Sequence, residues 1–375
     1  MTETQAFAHA ALTRVQAKMT AVMARNPDII PYTTDADHHY IDMRQVDPYW
    51  WTNGFWGGLL WQLYALSGEV IYKTSAIKVE DHLDHNLHNA QKLDHDNGFK
   101  WSLTAVAHYR QDHDPVAHNR ALLAANNMAG RFNLAGHYIR AWNDESGNNR
   151  ANLAIIDCLM NLPLLYWASA EEQDPRFKQI AIAHAQMAQT NMVRPDGSVK
   201  HIVVFDPATG EYLESQGGQG YGHGSSWTRG QAWGIYGFTL SYRYTKDASF
   251  LATAQQIANY FIANIPANGH IPIDFRQPKT PALEDSSAAA IAASGLLSLA
   301  GYLPQADAAV YTHAALRLLQ TLANEGVDWD PEHDAFLTHC SAQYNEPTHE
   351  YPIVYGDYFF IEALMKLTNQ ALDLW

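Results

Sequence analysis

The sequence predicts an all-α fold in which twelve helices close into an (α/α)6 barrel, and three observations lead there. Apolar residues recur with a 3.6-residue period in twelve segments, the segments alternate between two compositions, and the longer connections fall on one side of that alternation. The first segment, 6–25, is alanine-rich and amphipathic. It is followed by 53–67, 73–93, 101–109, 115–134 and 152–169, then by 175–193, 230–244, 248–264, 285–301, 307–325 and 356–373, set off by clusters of Gly, Pro and Asn. Period-2 alternation is confined to short stretches such as His201 to Phe205.

Helices of one type carry charges and alanines at i, i+3 and i+4, the pattern of a solvated outer face. Laying 175–193 over 248–264 pairs Phe177 with Phe250, Ala181 with Ala254, Ala185 with Ala258 and Asn191 with Asn264. Helices of the other type open on small and aromatic residues: Trp51-Thr-Asn-Gly-Phe-Trp-Gly-Gly, Thr228-Arg-Gly-Gln-Ala-Trp-Gly, Asp285-Ser-Ser-Ala-Ala-Ala and Tyr355-Gly-Asp-Tyr-Phe-Phe. Those segments suit close packing on the inside. A hairpin of one outer and one inner helix cannot bury its apolar stripe alone, so six hairpins form a ring, expected as a single domain over residues 1–375. Connections at about 27–51, 135–150, 194–228 and 265–284 lead from outer to inner helices and are rich in Trp, Gly, Asp and His. They should gather on one rim.

Composition narrows the function. With 47% hydrophobic and 17% charged residues the chain is globular rather than disordered. Twenty-four Lys and Arg against 39 Asp and Glu give a net charge of −15, which repels nucleic-acid phosphates and anionic membranes alike. Two cysteines, Cys158 and Cys340, make neither a disulfide framework nor a four-cysteine zinc site. The first 26 residues read as a helix and not as a signal peptide, and no window offers about 18 consecutive apolar residues. A soluble, cytoplasmic protein is expected.

Asp157 is the most informative residue, because no other charge occurs in the segment 151–170. Desolvation raises a carboxyl pKa and keeps a proton donor loaded near neutral pH. Alone, Asp157 also reads as a buried acid satisfied by backbone amides, with Pro163 loosening the helix beyond it. A second carboxylate favours chemistry. Asp96, in Leu93-Asp-His-Asp-Asn-Gly-Phe, precedes an inner helix as Asp157 does, and the ring would bring both to the rim, as glycoside-bond chemistry often requires; without the ring, Asp96 reads as an Asx-turn or cap beside Gly98. His82, His85 and His88 recur at i, i+3 and i+6, a poor spacing for one site, so a solvated face and no metal are expected. The run 216–230 has the glycine density of a phosphate loop but lacks its Gly-Lys-Ser/Thr ending, and instead delivers Gln219, Arg229 and Trp233 to a ligand. Aromatics form 12% of the chain, and Trp50, Trp142 and Trp233 are the candidate sugar platforms, although aromatics at helical spacing also simply fill cores.

Seven motifs resemble the unsaturated glucuronyl hydrolases, glycoside hydrolase family 88: Trp50-Trp-Thr-Asn-Gly-Phe-Trp-Gly-Gly, His95-Asp-Asn-Gly-Phe, Ile156-Asp157, Asp196-Gly-Ser with His201, Trp227-Thr-Arg-Gly-Gln-Ala-Trp, Asp285-Ser-Ser-Ala and Tyr355-Gly-Asp-Tyr-Phe. The resemblance spans nearly the whole chain. It implies an (α/α)6 barrel, no cofactor, and a substrate with a 4,5-unsaturated uronic acid at its non-reducing end, as left by polysaccharide lyases. It also implies vinyl-ether hydration, with Asp157 as general acid and base, Asp96 as the assisting carboxylate, and His95, His201, Gln219, Arg229, Trp50, Trp142 and Trp233 holding the sugar. The net charge disfavours long-range capture of an anion, so attraction must be local, through Arg229 and any protonated histidine. The segment 346–354 matches no family motif. Alternatives are an unsaturated rhamnogalacturonyl hydrolase acting on pectin fragments, a sugar epimerase or lyase on the same barrel, and a non-catalytic sugar-binding protein.

Overall fold

The computed structural model describes residues 2–144, 147 and 150–375. Among them the helices run in the expected alternation. The outer set is α1 (Glu3–Arg25), α3 (Val70–Leu87), α5 (Pro115–Gly130), α7 (Pro175–Asn191), α9 (Ala248–Ala263) and α11 (Gln305–Thr321). The inner set is α2 (Phe55–Ser67), α4 (Asn97–Trp101, continuing through a π turn at Ser102–Val106 to Ala107–Asp112), α6 (Leu162–Glu172), α8 (Thr228–Thr245), α10 (Ser286–Ala300) and α12 (Val354–Leu367). Helix α12 packs on both α1 and α2, which closes the ring into an (α/α)6 barrel.

Local chemistry explains why the long connections share one rim. Inner helices α2, α4, α6 and α8 end on residues with positive φ: Gly68, His113, Gln173 and Lys246. After the last three, the next residue, Asp114, Asp174 or Asp247, caps the following outer helix by accepting N–H groups of its first turn. The turns after α2, α4, α6 and α8 are therefore two residues long and the one after α10 four, and every long excursion is left to the opposite end. The small residues of the inner type are needed for contact. A Cβ at Gly237 of α8 would stand 2.4 Å from Leu159 Cβ, and one at Gly58 of α2 would meet Leu103 and Tyr358 at 3.0–3.1 Å. The end remote from the long connections is filled by Trp375, whose ring lies parallel to Phe359 and whose Nε1 donates to Glu362 at 2.8 Å.

Three expectations are corrected. The segment 152–169 is not one helix: it opens as strand β5 (Leu153–Ile155), passes through a 3-10 turn (Ile156–Met160) and becomes helical at α6, where Pro163 occupies an initial position that needs no N–H partner. The strand forms because β5 pairs antiparallel with β6 (Ile202–Phe205), and β6 with β7 (Tyr212–Gln216). The segment 356–373 stops as a helix at Leu367, and the chain beyond it returns to the barrel, with Leu372 held at both N–H and C=O by the Gln62 side chain. A further long connection, 327–353, leads from α11 to α12. Smaller hairpins, β1 (Pro31–Thr34) with β2 (Tyr40–Asp42) and β3 (Phe132–Asn133) with β4 (Tyr138–Ile139), complete the rim. Residues 145, 146, 148 and 149 of the 135–150 connection lie outside the described residues. Cys158 and Cys340 are free and buried, and among the described residues no helix is long and apolar enough to cross a membrane.

Candidate active site

A cleft of about 570 Å³ opens at the rim of the long connections. Asp157 reaches it from the 3-10 turn, a position set by backbone pairing: Ile156 N–H donates to the His201 carbonyl at 3.0 Å and so fixes the turn against the start of β6. Asp96 precedes the first residue of α4. Its side chain makes no cap; Asp94 takes the turn instead, accepting the Asp96 N–H at 2.9 Å, so the Asp96 carboxyl is left to face the cleft. Only 7% of Asp157 and 6% of Asp96 remain exposed.

Asn161 ties the two acids together. Its Nδ2 donates to Asp96 Oδ1 at 3.2 Å and to the Asp157 carbonyl at 3.3 Å, while its Oδ1 accepts the Phe99 N–H at 2.6 Å. Gly98 makes this approach possible, since a Cβ there would lie 2.4 Å from Asn161 Cα. Burial pushes the Asp157 carboxyl up to about 7, against the opposing pull of the Arg229 charge. Trp233 Nε1–H also favours the carboxylate, without making a well-formed hydrogen bond to it. Asp96 is raised well above the carboxylate range, first by burial and then by Asp94 and Asp157. Two histidines flank the pair. His95 Nε2 lies 3.4 Å from Asp96 Oδ2, and His201 Nε2 lies 3.6 Å from Asp157 Oδ2. Burial lowers both imidazoles to about 3, so both are neutral at physiological pH.

A buried acid raised to about 7 beside a second acid, in an aromatic-walled cleft, is equipped for proton transfer to a sugar. Residues 27–359 match the family model of Glycosyl Hydrolase Family 88. The chain belongs to this family. An unsaturated glucuronyl hydrolase of Bacillus sp. (strain GL1) is 36% identical over 360 residues, covering 93% of each chain. An unsaturated chondroitin disaccharide hydrolase of Streptococcus pneumoniae (strain ATCC BAA-255 / R6) is 33% identical over 332 residues, covering 87% of this chain and 83% of the other. Among solved structures, the unsaturated glucuronyl hydrolase of Streptococcus agalactiae superposes with a TM-score of 0.92 at 30% identity, covering 100% of this chain and 94% of that one.

Within this family-88 glycoside hydrolase the nine residues singled out from sequence fall into two shells. Asp157, Asp96, Trp50, Trp142, His201 and Gln219 line the cleft. His95, Arg229 and Trp233 lie behind the lining. Trp233 is buried between Phe99 and Phe359, with centroids 5.2 and 5.5 Å away. Arg229, 1% exposed, pairs with Asp285 at 3.4 Å, donates to Tyr355 Oη and the Ala342 carbonyl, and reaches the Ser341 carbonyl at 3.0 Å. Gln219 does similar work: Nε2 donates to Ala342 O, and its carbonyl accepts the Tyr344 N–H, both at 2.9 Å. Together they hold residues 341–344 as a wall that presents Gln343 to the cleft.

Sequence reasoning did not single out Asn161, Asp94 or Gln343, nor Lys92 and Arg150, which also line the cleft. Asn161 was findable: it stands four residues after Asp157 in the same uncharged segment. Gln343 was not, because its place depends on a connection whose path no local pattern reveals. His82 meets Asp28 and Arg44, and His85 meets Tyr49 Oη; among the described residues no three His, Cys, Asp or Glu side chains are placed to hold a metal ion.

Proposed function

We propose that this chain is an unsaturated glucuronyl hydrolase, releasing the 4,5-unsaturated uronic acid from the non-reducing end of lyase-generated glycosaminoglycan disaccharides. The observation that carries the reading is Asp157, a carboxyl raised to about 7 at the cleft surface with a second acid beside it. Asp157 gives its proton to C4 of the vinyl ether, charge develops at C5 and the ring oxygen, and water adds at C5 while the new carboxylate takes the water's proton. The hemiketal then opens and expels the neighbouring sugar. One residue serves both steps because donating the proton creates the base. Asp96, whose carboxyl is pushed upward by burial and then by Asp94 and Asp157, is the assisting acid. Trp50 and Trp142 offer flat apolar faces to the sugar, and His201 and Gln219 border its polar edge. His95, Arg229 and Trp233 support the site from behind, and residues 1–375 act as one catalytic domain.

A panel of unsaturated chondroitin, hyaluronan, heparin and pectin disaccharides tests this, with turnover read as loss of alkene absorbance. Glycosaminoglycan disaccharides are expected to be consumed and the pectin disaccharide spared. Asp157→Asn should lower kcat at least about a thousandfold with binding largely kept, since the shape survives and the titratable proton does not. Consumption of pectin alone, or wild-type turnover in the variant, sinks the proposal.

A further inference from the structure

We infer that His201 is a positioning residue, which places the reacting proton on Oδ1 of Asp157 by presenting a fixed N–H to Oδ2. The inference deepens the reading above and rests on it. Its basis is the tautomer. His201 Nδ1 accepts the backbone N–H of Gln219 at 2.9 Å, so the hydrogen of the neutral ring is on Nε2. The backbone is shaped for this contact: Gly218 has a φ of +58°, and a Cβ there would stand 2.0 Å from His201 Nδ1. The ring is also held against Trp227, centroid to centroid 4.3 Å. Its other nitrogen lies 3.6 Å from Asp157 Oδ2, and both atoms are buried without another partner among the described residues.

A proton on Oδ2 would point at the hydrogen on Nε2. The acid therefore carries its proton on Oδ1, free for the substrate. During the reaction the Oδ1–H bond breaks as C4–H forms, and the proton of the attacking water later returns to Oδ1. His201 neither gains nor loses a proton; its N–H closes on Oδ2 as charge appears there, a charge-assisted bond stronger than the resting contact. The other charged or titratable groups around the Asp157–His201 pair are Asp96 and His95 just before α4, Arg229 from α8, and Cys158 on the turn of Asp157. Of these, Arg229 is bound to Asp285, Tyr355 and the 341–342 carbonyls, Asp96 opposes ionisation, and His95 faces Asp96. Trp233 Nε1–H also favours the carboxylate but makes no well-formed bond to it, and His201 is the ring N–H that lies beside Oδ2.

Two substitutions separate this role from sugar contact. His201→Asn keeps an acceptor for Gln219 but removes the Nε2 hydrogen, whereas His201→Gln carries an N–H to a similar reach. In His201→Asn, the Asp157 carboxyl followed by 13C NMR should titrate about one pH unit higher, and the alkaline limb of kcat should move with it. Its kcat should fall about 10- to 100-fold with KM nearly constant, and His201→Gln should recover most of the loss. A raised KM with an unmoved pH profile, equal losses in both variants, or 15N shifts placing the hydrogen on Nδ1 would each overturn the inference. The NMR readouts need no turnover, so they decide it even if the proposed substrate is wrong.

Discussion

At neutral pH the Asp157 carboxyl sits near its own midpoint, because burial has raised it to about 7. That serves acid and base chemistry equally, and it costs the fold stability. A carboxyl whose folded pKa lies above its unfolded value binds more protons in the native state, so stability falls as pH rises from about 4 through 7. Asp157→Asn removes that cost. The variant should therefore be more stable than wild type at pH 8, on the order of 3 kcal/mol, with the difference shrinking towards pH 4. Denaturant titrations at both pH values check this, and a gap independent of pH would mean that the carboxyl is not strained by burial. Its isolation in an uncharged segment was legible from the sequence. Its hydrogen-bond setting was not, since Asn161 and His201 reach it from turns and strands placed by tertiary contacts.

The two acids are held by the start of α4 and the 3-10 turn before α6, and Gly98 and Asn161 form the contact between them. Gly98→Ala should push α4 from Asn161, break the Asn161 link to Asp96, and lower kcat by about tenfold or more. The mechanism is displacement of an oriented group, to which catalysis is steep. Kinetics together with a crystal structure of the variant test it; unchanged activity would show that the register of the two acids does not matter. At this scale the sequence read helix type and order well, because inner and outer faces have different compositions. It misread 152–169, where the apolar residues of β5 satisfy a helical or a strand period, and pairing with β6 decides between them.

Across the whole molecule, a net charge of −15 faces an anionic substrate, and the attraction expected locally takes a different form. Arg229 is locked beneath the wall it supports, and His201 and His95 are neutral. Among the described residues Lys92 and Arg150 are the cations that line the cleft, and at longer range encounter is opposed by the field of the whole protein. The ratio kcat/KM for an unsaturated disaccharide should rise about twofold between roughly 10 and 150 mM salt as that field is screened. A stopped-flow or steady-state series in sodium chloride checks this, and a steep fall with salt would instead reveal strong attractive capture.

By itself the sequence determined the twelve-helix alternation, the rim on which the long connections meet, and the acid pair on that rim. Each follows from composition and spacing, which act locally and leave a periodic trace. The tertiary structure alone decided which candidates touch the cleft and which stand behind it, how Gln219 and Arg229 hold the 341–344 wall, and which nitrogen of His201 bears its hydrogen. Those depend on contacts between residues more than a hundred positions apart, or on a single glycine letting a backbone approach, and neither leaves a pattern along the chain.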